Sequence, residues 1–451
     1  MGRRSHTRSL NLWMNGEFVG TWSVQPHIGE VLQYDDAWVA SSLGRPLSLS
    51  LPFTPGNQLL RGDAVRTYFE NLLPDSKEIR ERVARRFQAG STNAFALLAE
   101  VGRDCVGALQ VMPGTEAPGG TQEVNAVPMT DAEVARLLRN TLASAPLGGR
   151  EAADDDDFRI SIAGAQEKSA LLWYDGRWCR PHGSTPTTHI FKLPLGLVAN
   201  MKFDMRDSVE NEWLCSEILH AYQMPVARTK PLMFEDMKVL AVERFDRMWW
   251  ETEEGKRWLI RLPQEDMCQA TGTPPHLKYE SDGGPGVRQI MKLLATSRSP
   301  DRDRRMFFQA QVLFWMLCAT DGHAKNFSIF LRQGGTYELT PLYDVLSAYP
   351  IIGKGANQLS PYKAKMAMAV RSKSPHWVVR NILRRHWVAV GTEHGVVTPN
   401  GQGVEHVLDD LVARTPGVVK TVRALLPEGF PQHVADSILN GLQDAADRLA
   451  G

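Results

Sequence analysis

From Met306 to Ala319 only Gln309 and Gln311 interrupt a run of apolar residues. A helix apolar all round belongs at the buried centre of a lobe. It leads into the polar loop Thr320-Asp-Gly-His-Ala-Lys-Asn326. Beyond the loop come a strand-like stretch, Phe327 to Leu331, a Gly334-Gly335 turn, and a second strand, Tyr337 to Tyr343, that delivers Asp344. The predicted order is buried helix, polar loop, hairpin, aspartate.

Upstream, Phe158, Ile160 and Ile162 alternate with polar residues like a half-buried strand, and Ala163-Gly-Ala-Gln166 turns. Ser169 to Trp173 and Thr188 to Leu193 read as further strands, the latter carrying Lys192. Val209 to Tyr222 reads as an amphipathic helix, followed by strands at Leu232 to Phe234 and Val239 to Phe245. Strand, small-residue loop, strand, lysine strand, acidic helix and hinge is the order of a kinase N-lobe; the elements after Met306 follow the order of its C-lobe. Before this, residues 9 to 111 form a separate block. Its short strands are expected around Leu10 to Met14, Glu17 to Trp22 and Leu47 to Leu51, with one helical stretch from Gly62 to Arg86. A Pro/Gly-rich segment, Pro113 to Gly120, and the acidic run Asp154 to Asp157 separate the blocks. The expected division is 1–113, 114–247 and 248–451.

Lys plus Arg and Asp plus Glu both total 51 in the 451 residues, so summed charge provides no long-range attraction to nucleic acid or anionic lipid, and such binding needs local patches. The five cysteines are scattered, with no CxxC pair, which argues against a disulfide framework or zinc knuckle. The opening Met1-Gly-Arg-Arg-Ser-His does not read as a secretory signal, and the longest strongly apolar run, Val312 to Ala319, is far short of a bilayer span. A soluble, cytoplasmic protein is expected.

Phosphoryl transfer asks the protein for metal ligands, a cation on the phosphates and a group accepting the hydroxyl proton. Asp321 and Asn326 have the D-x4-N spacing of a kinase catalytic loop, the aspartate as base and the amide as Mg2+ ligand. The bland reading is a loop whose side chains satisfy its own turn. Asp344 is the second expected Mg2+ ligand, or a strand-end cap. Lys192 would reach the ATP phosphates, paired with Glu212 or its rival Glu210, or is merely an edge-strand lysine. The backbone of Ile162, Ala163 and Gly164 would cap the phosphates. Glu243, Arg244 and Phe245 would meet adenine through their main chain, and His323 and Tyr343 complete the expected nucleotide contacts.

These stretches resemble the HipA kinases over nearly the whole chain. The resemblance rests on Arg45-Pro-Leu-Ser-Leu-Ser-Leu-Pro52, Asn71-Leu-Leu-Pro-Asp-Ser76, Phe158-Arg-Ile-Ser-Ile-Ala-Gly-Ala-Gln-Glu-Lys168 and Ala241-Val-Glu-Arg-Phe-Asp-Arg247. It rests equally on Arg261-Leu-Pro-Gln-Glu-Asp-Met-Cys-Gln269, Lys278-Tyr-Glu-Ser-Asp-Gly-Gly-Pro-Gly286 and Ala319-Thr-Asp-Gly-His-Ala-Lys-Asn-Phe-Ser328. The loop lacks the His-Arg that precedes the aspartate in ordinary protein kinases. The resemblance implies an α+β, two-lobed protein-kinase-like fold of the lipid-kinase-like branch, with an added N-terminal α+β subdomain and a largely α-helical C-lobe. It implies a serine/threonine kinase toxin that phosphorylates an aminoacyl-tRNA synthetase, the glutamyl enzyme in the best-known relatives, halting translation. It also implies autophosphorylation on Ser161, which would expel the phosphate loop, and a helix-turn-helix antitoxin dimer bound to operator DNA. The stretch Arg371 to Arg385, with Lys373, Arg380, Arg384 and Arg385, fits either a solvated face or DNA-phosphate contact. Two other readings stay open: a catalytically inactive partner of the antitoxin, and a hydrolytic metal site built from Asp321, His323 and Asp344.

Overall fold

The structure is a computed structural model that describes residues 8–114, 117–142, 166, 168–198, 203–355 and 357–451. The N-terminal block is a five-stranded antiparallel sheet. Across it run Leu60–Arg61, Gly29–Tyr34, Glu17–Gln25, Arg8–Met14 and Leu109–Met112, so the block's last strand closes against its first. Helices Asp63–Glu70, Lys77–Arg86 and Ala94–Val101 cover its inner face, where Trp22 stacks on Phe69 with ring centroids 3.7 Å apart. The single helical stretch expected from Gly62 to Arg86 is two helices. Pro74 lies between them, and the Ser76 hydroxyl accepts the Ile79 N–H to start the second. Leu47 to Leu51, expected as a strand, is irregular. Pro46 and Pro52 bracket it, and instead of a ladder the Leu47 N–H goes to Tyr34 Oη at 2.8 Å, the Leu49 N–H to Glu265 Oε1 at 2.9 Å and the Leu51 N–H back to the Ser48 carbonyl at 3.0 Å.

The second sheet is also antiparallel: Thr229–Phe234, Met237–Glu243, His189–Lys192, Lys168–Tyr174, Arg177–Pro181 and Ala126–Pro128 in spatial order. Helix Asp131–Leu142 packs on one face, where Val134 and Leu138 meet Leu171, Phe191 and Val239. The acidic helix, Ser208–Ala221, lies on the other face, toward Leu240 and Val242. Its apolar residues Leu214, Ile218 and Leu219 join the core of the C-terminal lobe. It is fastened there by Asn211, whose side chain donates to the Ser347 carbonyl and accepts the Ser347 N–H, both at 2.8 Å. Tyr222 Oη lies 2.6 Å from Thr415 Oγ1 just beyond its end.

The apolar run is the expected central helix, Pro300–Met316, with Phe307, Phe314 and Trp315 wholly buried. It begins six residues before the run because Pro300 is well suited to a first turn and Asp301 and Asp303 favour the positive N-terminus. Around it pack Val287–Leu294, Arg384–Glu393, Val404–Leu425 and Gln432–Ala450. The hairpin of Ser328–Leu331 and Tyr337–Leu339 pairs with Gln264–Asp266. Its second strand stops at Leu339, short of the expected Tyr343, since Pro341 has no N–H and Leu342 turns to donate to the Pro225 carbonyl. The fold is thus α+β and two-lobed, with an added N-terminal block. Among the described residues no helix is long and apolar enough to cross a membrane.

The N-terminal block is joined to both lobes by buried charge. Asp104 lies between Arg247 (2.9 Å), Arg244 (3.3 Å) and Arg261 (3.3 Å), and Asp246 takes Arg244 at 2.8 Å. Lys325, in the polar loop, reaches the Asn71 carbonyl at 3.0 Å and Asp266 at 2.9 Å.

Candidate active site

Alternation along His189–Lys192 sends Phe191 into the helix-covered core and Lys192 to the opposite face. There its ammonium, 5% exposed, meets two carboxylates: Glu212 Oε1 at 2.5 Å and Asp344 Oδ1. Glu210, the rival partner, instead pairs with Lys238 at 2.5 Å. Burial disfavours the Lys192 charge, but Asp344 and Glu212 outweigh it and raise its pKa. Glu212 shows the reverse balance: burial lifts its carboxyl above the ordinary value although Lys192 opposes this.

Asp344 sits at φ +61°, a left-handed conformation that aspartate tolerates better than most residues. Its Oδ2 lies 3.3 Å from Asn326 Nδ2. Burial alone would raise its pKa; Lys192 and Lys168 overcome this and hold it well below the usual carboxylate range. Lys168 is the site residue that the sequence reading did not single out. It is the cross-strand partner of Lys192, so both side chains leave the sheet on the same face. The signal lay in register, which becomes visible only once the two strands pair. Burial pushes the Lys168 pKa down, with Asp344 opposing.

The polar loop leaves the central helix through Cys318 at φ +50°. At Gly322 a Cβ would stand 2.4 Å from the Phe314 ring, so the loop presses directly on the helix. Asp321 is exposed to the cleft and accepts a hydrogen bond from Tyr279 Oη. His323 is buried, with Nε2 4.0 Å from Asp321 Oδ1 and, among the described residues, no hydrogen-bond partner for Nδ1. Burial, helped by Lys278, lowers its pKa to about 3, so the ring is neutral at pH 7.

At the hinge, Glu243 and Arg244 have already used their N–H groups on the Arg228 and Thr188 carbonyls, both at 2.8 Å. The Arg244 side chain belongs to the buried Asp104 cluster. The Arg244 side chain thus joins the blocks, and only main-chain carbonyls of this stretch are left for the adenine contact expected of Glu243, Arg244 and Phe245. Phe245 packs on Tyr343, centroids 5.6 Å apart, and Tyr343 Oη donates to the Lys325 carbonyl at 2.8 Å, so Tyr343 braces the hinge and loop together. Ser161, Ile162, Ala163 and Gly164 lie outside the described residues. Of the basic stretch, Lys373, Arg380 and Arg385 are exposed, and Arg380 stacks over Tyr362 at 4.2 Å. Arg384 is committed to Asp409 at 2.7 Å.

The donor set suits one metal and disfavours another. Asp344 offers the hard oxygens that Mg2+ requires when phosphates and water complete its shell; beside it Asn326 donates Nδ2 to Asp344 Oδ2 at 3.3 Å while its Oδ1 accepts the His323 N–H at 3.2 Å, so it would serve the metal only with that oxygen turned toward it. Among the described residues no group of three His, Cys, Asp or Glu could hold a metal ion, which removes support for the hydrolytic site of Asp321, His323 and Asp344.

Two family descriptions match: HipA N-terminal domain over residues 10–112 and HipA-like C-terminal domain over 160–419. The chain is 34% identical over 369 residues to the Sinorhizobium fredii protein Y4mE, covering 80% of this chain and 81% of that one. It is 24% identical over 409 residues to the serine/threonine-protein kinase toxin HipA of Shewanella oneidensis, covering 88% and 84%. Among solved structures, the Shewanella oneidensis complex of HipA, HipB and its operator DNA matches with a TM-score of 0.75 at 22% identity, over 98% of this chain and 97% of that one.

Proposed function

The chain belongs to the HipA family, with both its N-terminal and its C-terminal domain present, and from this we propose that it is an ATP- and magnesium-dependent serine/threonine kinase, the toxin of a toxin–antitoxin pair. The observation that carries the reading is Lys192 held between Glu212 and Asp344, with Asn326 3.3 Å from the latter. Four groups far apart in sequence, an ammonium, two carboxylates and an amide, meet on one side of a cleft.

Bound ATP with Mg2+ would supply the phosphoryl group. Lys192, with Lys168 beside it, would hold the phosphates; Asp344 and Asn326 would hold the metal; Asp321 would orient the acceptor hydroxyl and take its proton. Neutral His323 would donate a hydrogen bond without adding charge. Phe245 and the Glu243 carbonyl would bound the adenine. The expected acceptors are an aminoacyl-tRNA synthetase, glutamyl-tRNA synthetase first, and Ser161 of the kinase itself. The Shewanella complex supports a helix-turn-helix antitoxin and operator DNA as partners, with Arg380 and Arg385 able to meet phosphates and Arg384 already engaged.

Incubation with ATP and Mg2+ followed by intact-mass measurement, alone and with glutamyl-tRNA synthetase, tests the reading. A gain of one phosphate is expected on the chain or the synthetase, and none with Asp321→Ala or Asp344→Ala. Unchanged turnover in those two variants would overturn the assignment.

A further inference from the structure

The segment Lys278 to Gly286 is anchored on three sides. Lys278 Nζ pairs with Asp75 of the N-terminal block at 2.8 Å, and the Lys278 carbonyl accepts the Ala324 N–H of the polar loop at 3.2 Å. The Glu280 carboxylate takes Arg371 at 2.6 Å and the Ala369 N–H at 2.7 Å, both on strand Lys365–Arg371. Gly283 turns the chain at φ +102°, and at Gly286 a Cβ would lie 2.2 Å from the Glu280 carboxyl carbon, so the turn closes tightly on its own anchor.

What this fixed segment presents is Tyr279. Its ring meets His323 edge-on with centroids 5.0 Å apart, and its hydroxyl donates to Asp321 Oδ1. The Asp321 side chain is 65% exposed, so packing gives it little orientation. A general base must nevertheless be held within hydrogen-bond reach of the proton it takes.

We propose that Tyr279 is a positioning residue for phosphoryl transfer: its hydroxyl holds Asp321 Oδ1, leaving Oδ2 to receive the proton of the acceptor hydroxyl. This rests on the kinase reading above. As the acceptor oxygen bonds to the γ-phosphorus and the bond to the leaving diphosphate breaks, the hydroxyl proton passes to Asp321 Oδ2. Although the Asp321 side chain opens to solvent, the protein around it, with Asp344 and Asp75, lifts its carboxyl above the ordinary value; the Tyr279 phenol and Lys278 act against this, and the neighbouring His323 is neutral. Losing the phenol therefore raises the pKa of the base, and the acid limb of the rate profile moves to higher pH.

Tyr279→Phe keeps the ring against His323 and removes only the hydroxyl. Expected are a kcat about tenfold lower, comparable to loss of one oriented hydrogen bond to a catalytic base, an unchanged KM for ATP, an unchanged melting temperature and an acid limb displaced upward. A wild-type kcat and acid limb would overturn the proposal. So would a raised kcat, which would make Tyr279 an obstacle to the acceptor. Asp321→Asn is assayed in parallel. A turning-over Asp321→Asn enzyme removes the base itself, which differs from an unaltered Tyr279→Phe in an enzyme that Asp321→Asn silences.

Discussion

Lys192 compensates two carboxylates at once, so its loss reaches beyond the phosphates. Breaking a buried ion pair from one side costs about 3 kcal/mol or more, because the remaining charge keeps its desolvation penalty. We expect Lys192→Met to lose turnover and about 3 kcal/mol of stability in urea unfolding. Adding Glu212→Gln should recover part of that stability and none of the turnover. His323 makes a separate prediction. Its pKa is about 3 in the folded chain and near 6.5 when unfolded, so unfolding takes up a proton as pH falls below about 6.5. The stability it contributes is present above that pH and fades toward pH 3, and the ring should show neutral-imidazole NMR shifts throughout pH 5 to 8. A His323 signal titrating near 6.5 in the folded protein would contradict its placement. At this scale the sequence was readable where chemistry requires a spacing: Asp321 and Asn326 stand five apart in one loop. Tyr279 and Lys168 were not, because what brings each to the site is a loop anchored by Asp75 and Arg371, or a strand register.

The element that decides whether Glu212 meets Lys192 is helix Ser208–Ala221, and its fastening is mostly polar at one end and apolar along its length. Asn211 makes two buried hydrogen bonds to Ser347, three residues after Asp344. Asn211→Ala leaves a backbone N–H and carbonyl without partners, which costs about 2 kcal/mol. A lower melting temperature and a raised KM for ATP should appear together, since Glu212 and Asp344 both lose a reference point. Most elements were legible from periodicity: the central helix and the lysine strand followed their apolar patterns. The misread ones differ in cause: Pro74 and Pro341 break a helix and a strand locally, whereas one segment is held from afar. Leu47 to Leu51 alternates like a strand, yet the Leu47 and Leu49 N–H groups go to Tyr34 and Glu265, and those of Ser50 and Leu51 to Ser48. Local pattern carries no record of such distant partners.

At the scale of the molecule, three guanidinium groups and two carboxylates are buried where the N-terminal block meets the hinge. The arginines beside Asp104, with Thr187, hold its carboxyl well below the ordinary range against the effect of burial. Its contribution is thus present above the unfolded carboxylate pKa and is lost only as pH falls through the depressed folded value. Asp104→Ala removes the common partner of Arg244, Arg247 and Arg261, and a loss of about 3 to 5 kcal/mol is expected in chemical denaturation. The same variant should shift the hinge and weaken nucleotide binding, measurable by calorimetry. None of this cluster was foreseen. Arg244 stood out in the sequence only as a main-chain contact for adenine, Asp246, Arg247 and Arg261 only as part of a resemblance, and Asp104 not at all.

The attachment of the Glu212 helix to the larger lobe has a practical corollary. Because Leu214, Ile218 and Tyr222 are part of that lobe's interior, swinging the helix outward would unpack a core instead of opening a hinge. A small molecule that needs this helix displaced would therefore have to offset the loss of that packing, whereas one that takes the nucleotide's own position would not.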